Sequence, residues 1–100
     1  MPNFKRGQIV NVPCEIQPGA FPGERLVTIH TDKGALSGFV KAEHVTTSED
    51  AFGSIRGTVV EVAPDAVKVR LPGSFFTSAS GMTSVSPSWA NKHLTPAMAA

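Results

Sequence analysis

The sequence holds a single cysteine, no apolar run of membrane-spanning length and almost no imbalance of charge. Cys14 alone excludes an intramolecular disulfide, a Cys-x-x-Cys redox pair and a zinc site built on several thiolates. It points to a reducing, cytoplasmic setting, with the thiol serving as a small buried hydrophobe after Pro13. Nothing approaches the ~20 apolar residues that cross a bilayer, and residues 1–6 lack the core of a secretory signal, so neither membrane insertion nor export is expected. Nine Lys and Arg against eight Asp and Glu create no field that would select nucleic acid or an anionic membrane.

Chemistry-bearing motifs are missing as well. His30, His44 and His93 stand at no recognised ligand spacing, and there is no His-Glu-x-x-His, so no metal is expected. A Gly-x-Ser-x-Gly elbow, a phosphate loop and a dinucleotide fingerprint are absent. The expectation is a protein without catalytic residues and without a cofactor.

What is present is punctuation. Nine glycines and eight prolines separate short Val- and Ile-rich runs, the pattern of an all-β chain with many turns. Residues 8–12 read as a first strand ending at Pro13, and residues 13–24, with Pro18-Gly19 and Pro22-Gly23, as a long exposed loop. Residues 25–31 and 35–40 form a hairpin about Asp32-Lys33-Gly34. Residues 41–45 suit a 3₁₀ turn, and the polar residues 46–50 a connector. Strands follow at 55–62, 67–71 and 82–85, the second with Val67, Val69 and Leu71 inward and Lys68 and Arg70 outward. Pro72-Gly73 opens a loop through Gly81, and residues 87–92 make a last short turn.

The chain also repeats itself. Gly7-Gln8-Ile9-Val10-Asn11-Val12 and Gly57-Thr58-Val59-Val60-Glu61-Val62 share a Gly-x-β-Val-x-Val pattern fifty residues apart. Each is followed by Pro-Gly-small-Phe (Pro18 to Phe21, Pro72 to Phe75) and by His-aliphatic (His44-Val45, His93-Leu94). The order is kept, which favours two related modules over a coincidence of strand vocabulary.

These segments resemble the SH3-like small-barrel superfamily. Ser37-Gly38-Phe39-Val40-Lys41-Ala42-Glu43-His44-Val45 is similar to the closing segment of bacterial SH3-like domains, and Gly57 to Leu71 to the opening of KOW-type and ribosomal SH3-like barrels. The resemblance implies two tandem SH3-like barrels packed together, with short 3₁₀ turns. The first spans residues 1–46, a connector 47–51, the second 52–95, and a flexible tail 96–100. The sequence has no tyrosine and no Trp-Trp pair, so the Pro-rich-peptide role of eukaryotic SH3 domains is not implied.

Candidate sites then fall on loops. Phe21, Phe75 and Phe76 are large apolar side chains in segments that read as surface, a placement that marks a protein-binding or self-association face. The competing reading folds these rings back to cap the barrels. Trp89 is a further contact, or else packs on the core. A non-enzymatic adaptor that binds a protein partner, or itself, is the leading expectation. The alternative is a KOW-like nucleic-acid binder using Lys68, Arg70 and Trp89, and the remote one a small oligomeric enzyme with its site between subunits.

Overall fold

A computed structural model describes residues 4–49, 51–75 and 82–97. The β-branched runs form β1 (Ile9–Pro18), β2 (Glu24–Thr31), β3 (Gly34–Lys41), β4 (Val45–Glu49), β5 (Phe52–Ala63), β6 (Ala66–Arg70), β7 (Ser74–Phe75), β8 (Met82–Val85) and β9 (Thr95–Pro96). A 3₁₀ turn, Ala42–His44, precedes β4, and a short helix α1, Pro87–His93, precedes β9. The expected hairpin of residues 25–40 and the 3₁₀ turn are found, and the last turn is this helix. Among the described residues no helix is long and apolar enough to cross a membrane.

All these strands pair into one antiparallel sheet in the order β7-β3-β2-β1-β5-β6-β8, with β4 on β5 and β9 on β1. Two separate barrels are not shown. The similar segments Gly7–Val12 and Gly57–Val62 fall on β1 and β5, which lie side by side, with Val10 opposite Gly57 and Val12 opposite Ile55. The final strands are exchanged. β4, from the first half, pairs with β5, and β9, from the second half, pairs with β1.

Three expected loops also carry ladder. The connector of residues 47–51 is largely β4, whose Thr46 and Thr47 are exposed. A strand whose described side chains mostly face water needs no apolar alternation, which is why a polar run concealed it. The tail expected at 96–100 begins in β9, and the Ala97 amide donates to the Ile9 carbonyl at 3.0 Å. The loop expected from Pro13 shrinks to residues 19–23, since β1 runs on to Pro18.

Inward residues alternate strictly along β1: Val10, Val12, Cys14 and Ile16 are buried. They join Val27, Ile29, Leu36, Val40, Ile55, Val59, Val67, Val69 and Val85 in one apolar cluster drawn from both halves. Phe4 is the one buried aromatic among the described residues. The core is therefore aliphatic, and most described rings lie outside it.

Two glycines let the sheet curl. Only Leu71, Pro72 and Gly73 link β6 to β7, although β7 sits at the opposite end of the strand order. A link that short spans roughly 14 Å at full extension, so the β3 margin must bend round to meet it. Gly73 adopts φ 84° there, and a Cβ would run into the Phe39 carbonyl and lie 2.9 Å from Val40 Cγ2. At Gly53, where β4 and β1 both press on β5, a Cβ would strike the Thr46 carbonyl and come within 2.6 Å of Ile16 Cδ1. Gly53→Ala is accordingly expected to cost about 1–3 kcal/mol. Urea denaturation should show a lower midpoint at unchanged slope, and an unaltered midpoint would mean that β4 does not press on this position.

Candidate functional site

The site grows from a proline. The β1–β2 register, with Glu15 opposite Thr28 and Gln17 opposite Leu26, would place Pro13 opposite His30. The Ile16 amide donates to the Ala51 carbonyl, so even-numbered residues of β1 bond toward β5 and odd-numbered ones toward β2 and β9. Pro13 therefore faces His30 without an N–H to give, and the β1–β2 ladder ends at Glu15. β9 and the Ala97 that follows it cover β1 from Ile9 to Asn11. Between β9 and β2 the edge of β1 is open.

α1 fills part of this opening. The helix is short, seven residues, too few to hold by propensity alone, so tertiary contacts fix it. Ser86 caps it, its hydroxyl accepting from the Trp89 amide at 3.1 Å, with Pro87 in the first turn. The Ser86 amide donates to Asp32 Oδ1 at 3.3 Å. The Ser86 hydroxyl, followed by its amide, holds the Asp32 carboxyl below its usual value. Ala90 and Leu94 enter the core, and Trp89 packs half-buried against it. The indole Nε1–H donates to the His30 carbonyl at 3.1 Å, supplying the bond that Pro13 lacks.

What remains is a groove of about 340 Å³ walled by Pro13, Glu15, His30, Phe52, Trp89 and His93, with Cys14 and Gly53 as further lining. Trp89 and His93 stack with ring centroids 4.8 Å apart. Glu15 Oε1 and His30 Nε2 lie 2.8 Å apart at the rim. Phe52 is 54% exposed, so a large apolar ring lines a concave, half-open site. Burial pushes the Cys14 thiol from 9.0 up to about 11, which keeps it a neutral core atom behind the groove rather than a nucleophile.

The sequence-predicted residues are dispersed. Trp89 lies in the groove. Phe21, 70% exposed, lines a separate concavity of about 460 Å³ in the β1–β2 loop with Ile16, Pro18 and Arg25. Phe75 belongs to β7, its backbone opposite Gly38, and Phe76 lies outside the described residues. Lys68 and Arg70 point outward from β6, away from the groove lining, and Lys68 Nζ sits 3.9 Å from Glu61. Phe52, Pro13, Glu15, His30 and His93 were not singled out for this role. The signal for Phe52 was phase: counting back from inward Ile55, an even-numbered residue faces out. A third, polar cleft of about 330 Å³ holds Glu43, His44, Thr46, Arg56 and Pro72. Among the described residues, no three His, Cys, Asp or Glu side chains gather as a metal site.

Comparison of the chain with protein families, with curated proteins and with solved structures finds no match.

Two outcomes follow from this geometry. Trp89→Phe removes the indole donor and is expected to cost about 1 kcal/mol. In that background Pro13→Ala should regain part of the loss, because a new N–H is aimed at the same carbonyl; equilibrium denaturation showing no recovery would refute the substitution of one donor for the other. The Cys14 shift sets a second outcome. The unfolded chain releases the thiol proton near pH 9.0 and the folded chain near 11, so the folded state holds more protons between these values. Its contribution to stability is full below pH 9 and lost as pH rises toward 11. Cys14→Ala should show a shallower alkaline decline than the parent in parallel melts.

Proposed function

We propose that the protein is a non-enzymatic binding module that seats an apolar side chain of a protein partner in the groove between Phe52 and Trp89. One observation carries this reading: an exposed phenyl ring and a fixed indole face one concave site whose depth comes from a broken ladder. Aromatic anchors in such pockets dominate binding energy, and the Trp89 ring is held in place by its own hydrogen bond, which limits the ordering cost of binding.

The reading extends to ancestry and setting. The two halves are diverged copies of one strand-strand-strand-turn-strand unit of the SH3-like kind that have merged into a shared sheet. The second half follows the order of the first as β5, β6, β8, α1 and β9 with the short β7 inserted, and the last strand of each half pairs with the other half; both features support this. The single, buried thiol of Cys14 suits a cytoplasmic setting. Nucleic-acid binding is the weaker reading, since Lys68 and Arg70 lie apart from the groove and the groove itself carries the Glu15 carboxylate.

Panning a random peptide display library against the parent and Phe52→Ser tests the proposal. Peptides with an aromatic or aliphatic anchor should enrich on the parent and be lost on the variant, whose stability should stay within about 0.5 kcal/mol because the ring is exposed. Equal enrichment on both proteins, or none, would sink it. Binding to RNA or single-stranded DNA that weakens steeply with salt would put the basic strand face in its place.

A further inference from the structure

The groove implies an occupant, and the same chain carries a side chain of the right kind. We infer that Phe21 of one copy seats in the Phe52–Trp89 groove of another, so that the protein self-associates; the inference rests on reading that groove as a protein-binding site.

Phe21 is the most exposed large hydrophobic side chain among the described residues, and it does not dangle on a slack loop. The Gly19 amide donates to the Glu24 carbonyl at 3.0 Å, and the Glu24 amide to the Phe21 carbonyl at 3.0 Å. Arg25 Nη1 adds bonds to the Pro22 carbonyl at 3.1 Å and the Glu24 carbonyl at 3.0 Å. Pro18 and Pro22 stiffen the same tip. A ring presented on a pre-formed loop loses little conformational freedom on docking. Water-facing apolar area fixed in this way lowers its free energy by burial.

Charge points to the same pairing. Arg25 stands beside Phe21 in the loop concavity, and the two loop bonds use only one of its guanidinium nitrogens, leaving further donors of the fork. Glu15, at the groove rim, spends Oε1 on His30 and keeps a second oxygen. Docking Phe21 therefore brings a cation toward the one carboxylate in the groove lining. Phe21 does not line the groove of its own chain. Each copy has one knob and one hole on different patches, so two copies that seat each other's ring close as a two-fold pair, while copies that pass the ring onward give a larger ring or a growing chain.

Sedimentation equilibrium across a wide concentration range tests this with the parent, Phe21→Ser and Phe52→Ser. The parent's average mass should rise above the 10.5 kDa of one chain. Each variant should associate more weakly by about thirtyfold or more, as for a hot-spot anchor. Mixing the two variants should yield a 1:1 species, since one keeps the groove and the other keeps the ring. A parent that stays at 10.5 kDa to millimolar concentration, a Phe21→Ser variant that associates like the parent, or a mixture that stays monomeric would each overturn the inference. If displayed peptides still enrich on such a monomer, the groove reading survives and only the second copy is rejected; if they do not, both fall.

Discussion

The hydrogen bond from the Trp89 indole to the His30 carbonyl organises the grooved face of this protein. A proline in the middle of β1 denies β2 one ladder bond, the two strands part, and a side-chain donor from the distant C-terminal helix satisfies the carbonyl left behind. That carbonyl lies on an exposed stretch of the strand edge, so the indole takes a bond that water would otherwise supply and is oriented by it. The same event fixes the ring of Trp89, draws His93 alongside it and leaves a gap that Phe52 borders. Groove, wall and positioning bond are one construction.

A related break occurs across the central strand pair. β5 contacts β4 through Phe52 to Ile55 and β6 from Thr58 onward, and continuing the β6 register places Pro72 opposite Arg56. There again a proline stands where neighbouring strands part, and there again a cleft opens, this time polar. The two clefts flank the joined strands β1 and β5, one on each outer edge. Because β4 pairs with β5 and β9 with β1, that central pair is a spine that draws strands from both halves of the chain around one apolar cluster.

The aliphatic interior has a consequence for binding. Val, Ile and Leu fill the small curled sheet without demanding hydrogen bonds, and Phe4 alone among the described residues buries an aromatic ring. Phe21 and Phe52 are thus left at the surface, on a stiff loop and at a strand start respectively. Their exposure carries an energetic cost in the isolated chain.

The hairpin of residues 25–40, the 3₁₀ turn before Val45 and the inward set Val67 and Val69 were legible because they depend on local rules: alternation, turn residues and β-branching act over a few positions. The place of Phe21 on a loop between two Pro-Gly pairs was legible for the same reason, but whether the ring faced water or folded back was not; the structure leaves it exposed. Phe52, Pro13 and His30 as parts of one site were not, because they meet through register, and a register is a relation between strands that no single stretch of residues encodes. By itself the sequence determined an all-β chain of short strands with repeated vocabulary in its two halves. Only the tertiary structure decided that those halves pair first strand against first strand and trade their last ones, since hydrogen bonds between strands are indifferent to which half supplies the partner and settle where the apolar faces close around one interior.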